Sequence, residues 1–234
     1  MSESTFRAAQ IRVPIIHPIE LGRHAVTFDG LLWSALDAHH CDPDKAKERL
    51  GDYLTFTEGV AHASMLRFGI KPSRRLIAAK RKTVGVMRQE SDLTHDQFHP
   101  TGSKGKYSQV NVSGGPYKNR VNDHELYHAP FALFYIHGDA PAIVELLNFY
   151  IHCVGVNAAS GSGTVGVWQY AYIDNDRSLV DADGLAARAV PIEIFRTRSS
   201  QIVEAVDIAT APPYHTSTKQ PCAMPERVVR ELIQ

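Results

Sequence analysis

Residues 129–139 read Ala-Pro-Phe-Ala-Leu-Phe-Tyr-Ile-His-Gly-Asp. An apolar run of about seven residues, closed off by Pro130 and Gly138, suits a buried strand and is far too short for a bilayer span. Gly138-Asp139 turns the chain, and Asp139 is placed to cap a helix over 140–154. In that helix Ile143, Val144, Leu147 and Tyr150 or Ile151 recur at helical spacing. A small-residue loop at 155–163 follows, then the alternating stretch Val165–Ile173 as a further strand.

Upstream, Thr5–Ile16 (TFRAAQIRVPII) reads as a strand ended by Pro14 and Pro18. Asp29 offers an N-cap for a helix whose apolar face is Leu31, Leu32, Ala35 and Leu36, closed by Cys41–Pro43. A charged stretch, Asp44–Arg49, leads into Tyr53–Leu66 as a second strand. The segment Arg67–Tyr107 has no steady period and contains Gly69, Pro72, Gly85, Pro100, Gly102 and Gly105, so it reads as an inserted long hairpin or mobile loop. The tail adds a short strand at Ala189–Phe195, a Pro-Pro loop near Tyr214 and a small helix from Pro225. The expected fold class is α+β, with the β-α-β-β-α-β order of a ferredoxin-like (RRM-like) core. Residues 1–66 form its first part, 67–110 a basic insertion, 111–196 the rest of the core and 197–234 a C-terminal extension.

Composition agrees with a globular chain and conceals an asymmetry. Among 234 residues, 25 Lys+Arg balance 25 Asp+Glu, and 44% are hydrophobic, which excludes a disordered tail or a fibre. Met-Ser-Glu-Ser-Thr lacks the apolar region of a signal peptide. Three widely spaced cysteines (Cys41, Cys153, Cys222) form no C-x-x-C pair, and a cytoplasmic protein without disulfides is expected. Yet 67–88 carries eight basic residues and no acid: Arg67, Lys71, Arg74, Arg75, Lys80, Arg81, Lys82 and Arg88. Four more (Lys104, Lys106, Lys118, Arg120) fall in the acid-free stretch 97–122. The rest of the chain therefore holds 13 basic and 25 acidic residues. Such a bipolar chain can grip a polyanion at one pole, and Phe68, Phe98, Tyr107 and Tyr117 within the basic part supply faces on which bases stack.

Of the catalytic patterns, His124-Glu125-Leu126-Tyr127-His128 matches the H-E-x-x-H of zinc hydrolases. That chemistry needs a helix to bring both imidazoles to one metal, whereas Gly114-Gly115-Pro116 upstream and Pro130 downstream oppose one. His95/His99 and His39-His40-Cys41 bring no companion at metal-site spacing. Asp174, Asp176, Asp181 and Asp183 lack the order of an EF-hand and read as a solvated turn. Neither a metal nor a cofactor is expected. Two glycine-rich stretches are better suited to phosphate: Ser113-Gly114-Gly115-Pro116-Tyr117-Lys118-Asn119-Arg120, and Gly161-Ser162-Gly163-Thr164-Val165-Gly166 between a helix and a strand. Glycines let successive backbone N–H groups face an anion closely.

Several blocks together resemble a known family: Phe28-Asp29-Gly30-Leu31-Leu32, the stretch 113–120, 129–139, Val144-Glu145-Leu146-Leu147, the Gly-Ser-Gly loop, Val167-Trp168-Gln169-Tyr170, and Asp183-Gly184 with Arg188-Ala189-Val190-Pro191. In this order they are similar to the RAMP-superfamily subunit, the fifth Cas protein family in its type IV version, that caps the CRISPR RNA in effector complexes. The resemblance covers roughly 5–36 and 110–195.

That resemblance implies a non-catalytic, RNA-binding part in a ribonucleoprotein of antiviral defence. The chain would hold the 5′ handle of the CRISPR RNA, anchor a backbone RAMP subunit and the large subunit, and meet target DNA only indirectly, with no membrane partner. Lys118 and Arg120, with Tyr117 stacking and Gly114, Gly115 and Asn119 beside them, would hold the handle near Gly161, Ser162 and Gly163. The basic run from Arg67 to Arg88 would track phosphates as a thumb-like insertion. Relatives carry Lys or Arg in the loop after the second helix, whereas Asn157-Ala158-Ala159-Ser160 has no charge, so phosphate binding there would rest on backbone N–H groups. The alternatives are a metal-independent ribonuclease that processes precursor RNA, using His24, His124 or His128 as base, a zinc hydrolase at His124/His128, and a protein-only interaction module.

Overall fold

A computed structural model describes residues 6–22, 26–85 and 120–233. The elements run β1 (Arg7–Pro14), β2 (Ile19–Glu20), α1 (Phe28–His40), α2 (Pro43–Arg49), β3 (Phe56–Thr57), β4 (Val60–Ala61), β5 (Arg67–Ile70), β6 (Ile77–Gly85) and β7 (Arg120–His128). They continue with β8 (Phe131–Gly138), α3 (Ala140–Tyr150), β9 (Gln169–Tyr172), β10 (Val190–Pro191), α4 (Ile192–Arg198), β11 (Ala205–Ala209), β12 (Lys219–Ala223) and β13 (Val229–Leu232). The class is mixed α+β. Among the described residues no helix is long and apolar enough to cross a membrane.

Two compact units are present: residues 1–78 with 127–234, and residues 79–126. The main sheet belongs to the first, in the order β13-β5-β8-β1-β9. The apolar run 131–138 is its centre, antiparallel to β1 from Arg7↔Gly138 to Pro14↔Phe131 and to β5 on its other side. Alternation then sorts the side chains. Ala9, Ile11 and Val13 join Ala132, Phe134 and Ile136 against Leu32, Leu36, Ile143 and Leu147 of α1 and α3. Gln10, Arg12, Phe131, Leu133 and Tyr135 occupy the opposite face. Asp139 caps α3 as expected, accepting from the Ala142 N–H at 3.2 Å. A smaller core of Val60, Leu179, Ala186, Val190, Ile194, Phe195 and Ala223 lies with the sheet β10-β12-β11. In the second unit, the β6 and β7 segments are hydrogen-bonded neighbours.

Several expectations need correction. Asp29 does not cap α1; Thr27 holds that position, and Asp29 turns inward, fully buried. The charged stretch 44–49 is the helix α2, because Asp42 accepts from the N–H groups of Asp44 and Lys45 and Pro43 fits the first turn. Instead of one strand over 53–66 there are only β3 and β4, folded back at Glu58-Gly59, both with positive φ. The strand expected over 165–173 is reduced to β9, since Trp168 is committed to the core. Residues 192–198 are helical where a strand is expected over 189–195. The helix expected from Pro225 is instead β13, parallel to β5 from Val229↔Arg67 to Leu232↔Ile70. Arg67–Ile70 is thus a core strand, and the separate unit begins at Ala79 rather than at Arg67.

Candidate nucleic-acid interface

The run 67–81 divides into two chemically different parts. Arg67 is buried among the strands, its Nη2 2.8 Å from Asp181 and its Nη1 3.5 Å from Glu231. A guanidinium so neutralised does not reach a phosphate, which corrects its assignment as an RNA-binding residue. Beyond Ile70 the chain turns at Lys71-Pro72-Ser73-Arg74, with the Arg74 N–H donating to the Lys71 carbonyl at 2.8 Å. Lys71, Arg74, Arg75 and Lys80 are exposed. Among the described residues no carboxylate lies within ion-pair distance of these four. Arg81 follows in β6, half-buried, and Lys82 and Arg120 lie in β6 and β7. Arg88, Gly114, Gly115, Tyr117, Lys118 and Asn119 are outside the described residues.

Lys71, Arg74 and Arg75 border a groove of about 270 Å³, completed by Ile77, His128, Ala129, Pro130 and Phe131. Lys71 and Phe131 also border a larger one, about 510 Å³, on the open face of the main sheet with Gln10, Arg12, Arg177 and Glu231. Arg12 Nε donates to Gln169 Oε1 at 3.1 Å, and its Cζ stands 5.8 Å from the Phe131 ring centre. Arg177 stands 5.8 Å from the Tyr135 ring centre. Burial, followed by hydrogen bonding to Glu231, raises the Tyr135 phenol above its ordinary value, so it stays neutral. The sequence pattern does not reveal this sheet face, because β5 and β13, which shape it, are too short to read as strands.

The Gly161–Gly163 loop is a brace rather than an anion cradle. Its N–H groups are already given to carbonyls: Gly161 to Ala158 at 2.9 Å, Ser162 to Asn157 at 3.4 Å and Gly163 to Pro18 at 2.8 Å. The Glu20 carboxylate sits beside it, 2.7 Å from Asn157 Nδ2 and 3.5 Å from Ser162 Oγ. A second anion would be repelled there, which corrects the expected phosphate binding at Gly161, Ser162 and Gly163.

Two fragments of the family resemblance meet in the interior. Arg188, fully buried, donates from Nη2 to Asp29 Oδ2 (3.0 Å), the Thr210 carbonyl (2.6 Å) and the Tyr214 hydroxyl (3.3 Å). Its Nη1 reaches the carbonyls of Ala61 (2.8 Å) and Ala63 (3.1 Å), and Nε that of Ala189 (3.3 Å). Tyr214 donates to Asp29 Oδ1 at 2.6 Å; burial, then the Asp29 charge, pushes its phenol well above the ordinary value. Asp29-Gly30 and Arg188 are thus structural partners.

The histidines divide similarly. His124 and His128 lie on strand β7, about 13 Å apart at strand rise, so they do not share a helical face. His62 is paired although no sequence motif signals it: Nδ1 lies 2.7 Å from Asp176 Oδ2 and Nε2 2.7 Å from Thr57 Oγ1. With both nitrogens engaged and 5% of the residue exposed, His62 braces the fold and has no free nitrogen for a substrate proton. Asp176 is therefore held by a hydrogen bond to His62 and Asp181 by an ion pair with Arg67, unlike the exposed Asp174 and Asp183. Burial alone would raise the Asp176 carboxyl, but hydrogen bonds from His62 and Ser178 outweigh it and lower the value to about 2. Its contribution, about 2 kcal/mol, is full above about pH 4 and lost as pH falls toward 2. Asp176→Asn is expected to lower stability to urea at pH 7 by that amount and to match the unaltered protein near pH 2. Equal stability at pH 7 would refute the pairing. Among the described residues no three His, Cys, Asp or Glu side chains gather as a metal site would require.

No protein-family model matches this chain, and a search of curated proteins finds no match.

Proposed function

We propose that the chain is a non-catalytic RNA-binding subunit of a CRISPR ribonucleoprotein of type IV character, capping the 5′ handle of the CRISPR RNA beside a backbone RAMP subunit and the large subunit. The observation that carries the reading is the turn and strand 71–80, where four exposed cations stand free of described carboxylates while the neighbouring Arg67 is neutralised within the core. Exposed, unpaired cations release counterions when they meet phosphate and so favour a polyanion. Two further features support it. The antiparallel order β5-β8-β1-β9, with α1 and α3 on one face, agrees with the ferredoxin-like arrangement expected for a RAMP subunit. The compact unit 79–126 interrupts the chain between β5 and β8, where the resemblance calls for a thumb-like insertion.

The test is the salt dependence of binding to single-stranded repeat RNA. Replacing Arg74, Arg75, Lys80, Arg81 and Lys82 with Ala is expected to weaken binding at least tenfold. The slope of log K against log salt should flatten by roughly 0.7 for each phosphate that is no longer neutralised. An unchanged slope refutes the assignment of this segment. Specific cleavage of repeat RNA in EDTA would instead favour the metal-independent ribonuclease.

A further inference from the structure

The two grooves share Lys71 and Phe131, so the exposed cations near Arg74 and Arg75 run without a break onto the open face of the main sheet. Along this path one ring stands among five cations: Arg74, Arg75 and Lys71 precede the half-buried Phe131, and Arg12 and Arg177 follow it. Lys71 follows β5 and Arg12 lies on β1 with β8 between, which separates their strands by about 10 Å. Glu231 is the carboxylate at the wall. It accepts from the Tyr135 hydroxyl and faces Arg67, so its charge is partly spent within the protein. Lys71, Arg12 and Arg177 thus form a rim of three cations against one lining carboxylate, over a floor of Leu133 and Tyr135.

We propose that this sheet face carries a segment of single-stranded RNA, with one base stacked on Phe131 and flanking phosphates held by Lys71 and Arg12, the next reaching Arg177. The proposal rests on the RNA-binding function proposed for the chain and extends the RNA site from the basic turn onto the sheet. A charged rim alone would also suit an acidic peptide. Single-stranded RNA fits better because its charges come at regular intervals with a flat ring between them, and the path offers a ring between cations.

Fluorescence anisotropy with a labelled ten-nucleotide single-stranded RNA, titrated at several salt concentrations, separates the contributions. Phe131→Ala is expected to weaken binding fivefold or more without altering the salt slope, since stacking releases no counterions, and Phe131→Trp to restore it. Arg12→Gln with Arg177→Gln should flatten the slope by roughly 1.4, that is about 0.7 for each phosphate. Both arginines are away from the helix-packed core, so this pair stays decisive if Phe131→Ala fails to fold by circular dichroism. If Arg74→Ala with Arg75→Ala loses binding while the Arg12/Arg177 pair matches the unaltered protein in affinity and slope, the sheet path is wrong and the basic turn stands. If the unaltered protein binds no RNA, or a polyglutamate peptide of equal charge displaces the RNA equally well, both proposals fail.

Discussion

Replacing Arg188 with Ala is expected to cost about 3–5 kcal/mol, the range for removing one partner of a buried ion pair. The reason is what remains. Asp29 would stay fully buried with only the Tyr214 hydroxyl and the Gly30 N–H as donors, and the carbonyls of Ala63 and Thr210 would lose the guanidinium, while that of Ala61 would keep only the Ala63 N–H. Set against a usual stability of about 5–15 kcal/mol, such a loss brings the protein close to unfolding. Urea denaturation measures it directly. Asp29→Asn in the Arg188→Met background should recover part of the loss, because the uncompensated charge is gone. A cost below about 1 kcal/mol for Arg188→Ala would mean that the network contributes little. Since none of these residues lines either groove, RNA affinity of the folded fraction should be unchanged.

Gly163→Ala is expected to cost about 3 kcal/mol or more, against about 1 kcal/mol for Gly161→Ala. Both glycines have positive φ, +70° and +79°, so both substitutions carry the backbone penalty. They differ in what a methyl group would meet. At Gly161 nothing lies within 4 Å, whereas at Gly163 the new carbon would stand 1.9 Å from the Val154 carbonyl oxygen. That carbonyl belongs to a backbone held by its own bond, Val154 N–H to the Gly163 carbonyl at 2.8 Å, so relief requires moving the loop. Equal costs at the two positions would contradict the brace. A phosphate cradle would predict a different pattern in RNA binding, with both substitutions reducing affinity.

The elements legible in the sequence are those whose signals are local. The run 131–138, the Asp139 cap with α3, and the apolar face of α1 each declare themselves within a dozen residues. What escapes is specified from afar. Four residues beginning with an arginine, Arg67-Phe68-Gly69-Ile70, carry no alternation long enough to read, and β13 is recognisable mainly by its parallel partner. The site follows the same rule. A count of basic residues treats Arg67 and Arg74 alike, yet Arg67 meets Asp181 114 positions away and Glu231 164 positions away. The glycines of 161–163 are legible as a turn, but the Pro18 carbonyl and the Glu20 carboxylate that occupy it lie far upstream.

The parallel pairing of β13 with β5 also sets the timing of biosynthesis. Glu231 is translated 164 residues after Arg67, an interval of about 8–30 seconds at ordinary elongation rates. Once β8 has been made and can pair with β5, the other edge of β5 has no partner until β13 follows, and Arg67 lies against Tyr135 without Glu231. The sheet closes only after the ribosome has delivered its outermost strand.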